Sequence, residues 1–170
     1  MKTFINIDKS DYINAINLYL GLYHPLKGFC TFKEYTQITK LKKIDKINFT
    51  IPINLFCSKN KASKLKIGDS LNLKYKNDIV GYLSLKSVFK VNKKHFIKSV
   101  FGTNDINHLG VNIYIKKINK APILLGGDIF LNKVKLKKYF KYNNLICIDN
   151  VKKINKRDVA FSTRNIPHAG

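Results

Sequence analysis

What this chain of 170 residues has little of narrows its class first. It carries three cysteines, Cys30, Cys57 and Cys147, an odd number with no C-x-x-C spacing. That excludes a disulfide framework or a zinc knuckle and predicts a reducing, cytoplasmic setting. Histidine is sparse, and His108 has no second His, Cys or acidic partner at metal-ligand spacing. It reads as a turn or packing residue, His24 and His95 read as surface or half-buried residues, and no metal site is expected. No apolar run approaches the roughly 18 residues of a membrane-crossing helix, so no membrane partner is expected. Met1 to Ser10 lacks the apolar stretch of a secretory leader and reads as mature protein. Arginine is nearly absent. Of 32 basic residues only Arg157 and Arg164 are Arg.

That scarcity bears on the charge. A formal net charge of +22 and a pI near 9.9 are cues for nucleic acid. Base-edge and phosphate-fork contacts, however, favour Arg over Lys. The lysines are also spread along the whole chain rather than gathered in one stripe. A Lys, Asn and Ile excess is what an AT-rich coding sequence produces without selection for binding. The charge is therefore read as mostly compositional, and an RNA-contacting lysine surface is the alternative.

What is present is enough for a folded core: 45% hydrophobic and 12% aromatic residues. At about 150 residues per domain the length fits one domain, and a chain this long buries about 70% of its unfolded surface without staples. Apolar spacing at Ile13, Ile16 and Leu20 predicts a helix over Asp11 to Leu22, with Gly21 and Pro25 as stop signals. Thr31 and Glu34 have capping-box spacing, which predicts a helix running to about Lys42 that buries Phe32, Tyr35 and Ile38. Ile47 to Cys57, Ser70 to Lys76, Ile79 to Val91, Val111 to Ile118 and Pro122 to Asn132 read as strands. A hairpin is expected across Asn77-Asp78, and Gly126-Gly127 predicts a bulge or close backbone approach. Gly28 and Gly68 read as turn glycines and Gly102 as a turn or cap residue. Short strands after a helical pair predict an α+β, mainly β fold: a small β-barrel with N-terminal helices. Lys135 to Tyr142 and Asn150 to Arg157 read as short helices, Leu145 to Ile148 as a short strand, and Asp158 to Phe161 as a strand that opens an α/β unit.

Several segments carry a resemblance. Tyr23-His24-Pro25-Leu26-Lys27-Gly28-Phe29 resembles F-S-P-L-x-G-F, and Ile51-Pro52-Ile53-Asn54-Leu55 resembles P-I-P-I-x-L. Leu65 to Asp69 is similar to an L-x-x-G-D turn, and Val100 to Asp105 with His108 and Gly110-Val111 to V-F-G-T-x-D-x-x-H-P-G-V. Leu125-Gly126-Gly127 resembles V-G-G, and Thr163-Arg164-Asn165 with His168-x-Gly170 resembles T-R-N followed by the start of H-x-G-H. Six motifs in this order resemble those of the ATP sulfurylase (sulfate adenylyltransferase) family. The resemblance implies a PUA-like barrel over residues 1–157. Residues 158–170 would be only the first strand and turn of a truncated α/β nucleotidyltransferase domain.

The resemblance also implies a chemistry, the transfer of an adenylyl group from ATP to sulfate with release of pyrophosphate. Two anions must be held together while charge develops on the leaving group. Thr163, Arg164 and Asn165 would be the catalytic set. Arg164 would offer sulfate a two-pronged contact, and Thr163 and Asn165 would orient oxyanions as neutral donors. Ser162, Arg164, His168 and Gly170 would bind sulfate and ATP, with His168 beside a helix N-terminus. Mg²⁺ would accompany ATP as substrate, and a homo-oligomer is compatible with the family. Ser162 stands where the family has Gln, Ile166-Pro167 shifts the family's Pro by one, and the second His of H-x-G-H would be residue 171. The chain is accordingly expected to be inactive alone, with no cofactor bound, as a fragment, a truncated reading frame or a remnant.

Overall fold

The computed structural model describes residues 3–132. The elements expected after residue 132, the boundary expected near 157 and the start of the second domain lie outside the described residues.

Local signals explain most of the helices. Helix α1 spans Lys9–Tyr19, two residues ahead of the expected start, because Asp8 is the cap: its carboxylate accepts from the Asp11 N–H at 2.7 Å. Gly21, at φ 75°, follows its C-terminus. Helix α2 spans Phe32–Leu41, and both halves of the expected capping box form. Thr31 Oγ1 accepts from the Glu34 N–H, and Glu34 Oε2 accepts from the Thr31 N–H at 2.8 Å. Tyr35 and Ile38 are buried as expected. Phe32 is not. It opens the first turn, is 58% exposed, and sets its ring edge-on to Phe89 at 5.1 Å.

The expected strand Ile47 to Cys57 is broken in two. β3 (Lys43–Ile44) and β4 (Ile47–Asn48) form a small separate hairpin, and β5 (Leu55–Cys57) joins the main sheet. Pro52, which has no N–H to give a ladder, lies in the irregular stretch between them. A one-turn helix α3 (Lys59–Ala62) follows, and then β6 (Ser70–Tyr75) and β7 (Asp78–Lys90). These two make the expected hairpin, but its turn is Lys76-Asn77, one residue ahead of the expected Asn77-Asp78, with Lys76 at φ 52° and Asp78 already paired to Tyr75.

The clearest correction is Val111 to Ile118. It is not a strand but part of helix α5 (Leu109–Lys120). Its β-branched residues suggest a strand, yet a strand would bury Ile113, which is 52% exposed. Val111 and Ile118 are buried and Tyr114 and Ile115 half-buried, a helical spacing. His108 is its N-cap, its Nδ1 accepting from the Val111 N–H at 3.3 Å. Helix α4 (Lys93–Phe101), capped by Asn92 and ended by Gly102 at φ 71°, was not anticipated as an element, but the cap role of Gly102 was. Nor were β1 (Phe4–Asn6) and β2 (Gly28–Phe29) anticipated. The last described strand is β8 (Ile123–Leu131).

The main sheet has the order β1-β6-β7-β8-β2, with β5 also paired to β8. Only the β1–β6 pair is parallel. Among the described residues no pairing joins β1 to β2 or β5, so the described sheet is open where a closed barrel is expected. Leu71, Leu73, Leu83, Leu85, Leu124 and Leu125 form the centre of the core. Cys30 and Cys57 are free and buried, and burial pushes the Cys30 thiol up to about 12.

The seam between β7 and β8 is bulged. Leu85 pairs with Gly127 and Ser87 with Gly126, so Lys86 is the extra residue. A Cβ on Gly127 would lie 1.9 Å from the Ser84 carbonyl oxygen, and one on Gly126 would lie 2.3 Å from that of Cys30. Gly126-Gly127 therefore provides both the bulge and the close approach expected of it. Gly28 is a strand residue rather than a turn residue. It pairs with Asp128, and a Cβ there would meet the Gly127 carbonyl oxygen at 1.9 Å. Gly68 is at φ 98° in a turn, as expected.

Candidate functional site

A cleft of about 540 Å³ opens between α1, the segment 48–54 that runs on from the end of β4, and α5. Helical spacing builds two of its walls. Ser10 and Asn14 are four apart on α1, and Tyr114 and Lys117 three apart on α5, so each pair shares a face. Strand alternation contributes the third. Leu55 and Cys57 are buried in the core, so Phe56 between them projects the other way and lines the cleft.

Its groups are mostly neutral. Tyr23 Oη donates to Asn14 Oδ1 at 3.3 Å and accepts from Asn17 Nδ2 at 3.1 Å. The one charged lining group, Lys117, is already engaged: its Nζ lies 3.1 Å from Asp11 Oδ1 and 3.8 Å from Asp8 Oδ2, and 5.1 Å from the Phe56 ring centroid. Burial raises the Asp11 carboxyl above its ordinary value of 3.8; Lys117 opposes that shift, and the charge of Asp8 adds to it while the hydrogen bond at Asp8 opposes it.

Asn54 stands apart. The residue is 7% exposed and lines the cleft, and neither its Oδ1 nor its Nδ2, both buried, has a hydrogen-bond partner. A buried amide left unpaired costs about 1–3 kcal/mol, so such groups call for an explanation. Among the lining residues there is no His or Cys to act as nucleophile or base, and among the described residues no cluster could hold a metal ion. The lining offers hydroxyls, amides and aromatic faces around one buried, unpaired amide.

The residues singled out in the sequence, Ser162, Thr163, Arg164, Asn165, His168 and Gly170, lie outside the described residues. Of the histidines within them, His108 caps a helix and His24 and His95 are exposed. Asn54, Lys117, Asp11 and Tyr23 were not anticipated as a group. The signal available was Asn54 between Ile53 and Leu55, a polar residue whose strand position suggests solvent but which is buried. Among the described residues no helix is long and apolar enough to cross a membrane.

Comparison with known proteins places the chain. A family model described as a PUA-like domain matches residues 2–133. A sulfate adenylyltransferase of Ignicoccus hospitalis is 29% identical over 170 residues, covering 98% of this chain and 44% of the relative. One from Pyrococcus abyssi is 31% identical over 170 residues, covering 98% of this chain and 43% of the relative. The chain thus spans under half the length of the curated relatives it matches. Among solved structures, a hexameric APS kinase from Thiobacillus denitrificans has a similar fold, with a TM-score of 0.52 and 18% identity over 75% of this chain and 21% of that one.

Proposed function

The chain belongs to the PUA-like domain family, and from that premise we propose that it works as the N-terminal part of a sulfate adenylyltransferase. The observation that carries this reading is the similarity to enzymes of that name over 98% of the chain, rather than over the PUA-like portion alone. Residues 1–157 are then the accessory domain and residues 158–170 the start of the nucleotidyltransferase domain.

The reaction is a displacement. A sulfate oxygen attacks the α-phosphorus of ATP, the bond from that phosphorus to the bridging oxygen breaks, and its electron pair leaves with pyrophosphate. Both reactants are anions, so catalysis rests on positioning and on donors aimed at developing charge. Arg164 holds sulfate through its planar fork. Thr163 and Asn165 donate hydrogen bonds without exchanging a proton. Ser162 gives a shorter reach than the Gln of the family, and His168 and Gly170 contact the ATP phosphates. Mg²⁺ arrives with ATP as part of the substrate. Several copies assemble in the whole protein, and the reaction belongs to sulfate assimilation in the cytoplasm.

The test is sulfate-dependent pyrophosphate release from ATP by the gene's full-length product. Release is expected, and folded full-length protein without it would overturn the reading. Arg164→Ala in that protein is expected to lower turnover about 10³-fold, the scale for losing one essential charge-stabilising donor. Undiminished turnover would remove Arg164 from the site while leaving the family reading intact.

A further inference from the structure

We propose that the outer face of the main sheet around Tyr82 and Phe130 is a docking site for the chain's own next segment, Lys135 to Tyr142. The contact is apolar and made within one molecule.

Strand register builds the face. Phe4, Asn72, Tyr82 and Phe130 form one row across β1, β6, β7 and β8. Their neighbours along the strands, Ile5, Leu71, Leu83 and Ile129, are buried in the core, so the row projects from the other side of the sheet. At the β1 end the row is already covered. Lys61 Nζ and Lys74 Nζ lie 4.8 and 5.5 Å from the Phe4 ring centroid. The β7–β8 end is different. The Tyr82 and Phe130 rings stack at 4.7 Å and 14°, yet remain 40% and 45% exposed. Ile79 beside them is 52% exposed. These three side chains line a groove of about 290 Å³ that continues onto Leu131 and Asn132. Large apolar side chains gathered around one groove mark a surface that takes a partner.

Where the described chain ends selects that partner. Asn132, the last described residue, lines the groove itself. Phe130 is two residues back along the strand, about 7 Å away. The sequence that follows is complementary. Lys135 to Tyr142, read above as a short helix and outside the described residues, carries Leu136, Tyr139 and Phe140 at helical spacing. Lys135, Lys137, Lys138 and Lys141 fall away from that stripe. A helix of about eight residues does not hold its shape alone in water, so the stripe needs a surface to form against. The link from Lys133 to Lys135 reaches about 10 Å, enough to carry Leu136 over Phe130. A tether this short gives an effective concentration in the millimolar range. A second copy of the chain or a separate protein has no such advantage at this groove.

Amide hydrogen exchange of the full chain, followed by mass spectrometry, tests the docking. Peptides over 135–142 are expected to exchange about tenfold or more slower than an unstructured chain. In Phe130→Asp that protection should fall about tenfold, while peptides from β6 and β7 exchange as in the parent. Phe140→Asp should do the same from the segment's side, and serves if Phe130→Asp does not fold. The proposal is overturned if 135–142 is unprotected in the parent, or if protection survives either substitution in a folded chain. Protection that grows with protein concentration, alongside a dimer in sedimentation, would assign the groove to a second copy and overturn it too. No outcome depends on sulfate or ATP, so failure here and failure of the proposed activity are read separately.

Discussion

The β7–β8 seam and the cleft are neighbours that solve opposite problems. They meet at β5, where Leu55 pairs with Leu125 just ahead of Gly126, and Asn54 immediately precedes Leu55. On the seam side, three backbones come so close that Gly28, Gly126 and Gly127 leave no space for a single carbon. On the cleft side, just before β5, there is about 540 Å³ of space and a buried amide with nothing to bond. The seam is shaped by what the fold needs. The cleft departs from what the fold alone would choose, since a protein at no functional cost would put an apolar residue at Asn54.

The sharpest way to break this comparison is to add a carbon to the seam. Gly127→Ala is expected to lower stability by about 3 kcal/mol or more, because backbone on two strands must move and no flexible side chain can give way. Urea denaturation followed by circular dichroism measures it. A midpoint close to that of the parent would show that the seam has slack.

The next largest effect belongs to the charged edge of the cleft. Lys117→Met leaves Asp11 and Asp8 without their cation, Asp11 being the buried one. About 2 kcal/mol of destabilisation is expected at neutral pH, below the range for a wholly buried pair because Lys117 is partly exposed. The sign with pH follows from the raised Asp11 carboxyl. The folded state holds that proton more readily than the unfolded state, so an ionised Asp11 weighs against folding at neutral pH. As pH falls through the folded pKa toward 3.8, Asp11 protonates and that burden is relieved, so the variant's deficit should shrink. Thermal denaturation between neutral pH and about pH 4 measures the trend. A deficit that grows on acidification would contradict the assignment.

How much of this was legible in the sequence also divides along the same line. The seam's bulge, like the hairpin and the helix cap elsewhere, was readable because glycine, turn and capping chemistry act locally. Gly126-Gly127 announced the bulge, Asn77-Asp78 the hairpin, and Thr31 with Glu34 the capping box. Gly28 was misread as a turn because nothing local shows that another strand's backbone lies against it. Helix α5 was misread because β-branched residues in a short window favour a strand, while the burial of Val111 and Ile118 is decided by tertiary packing. The cleft was hardest to see. Its walls come from α1, the 48–54 segment, β5 and α5, and the Lys117–Asp11 pair spans 106 residues. Asn54 carries no motif of its own; what marks it is having no partner, which only the folded chain reveals.

The smallest expected effect tests the central contrast most directly. Asn54→Leu, compared with the parent chain by thermal denaturation without ligand, replaces an unpaired buried amide by apolar atoms of similar size. Removing that desolvation cost should stabilise the fold by about 1 kcal/mol, a rise in Tm of about 2–4 °C for a chain of this size. A fall in Tm of that size or more would mean that the Asn54 amide already bonds within the folded chain, and the contrast in hydrogen bonding between cleft and seam would then be gone.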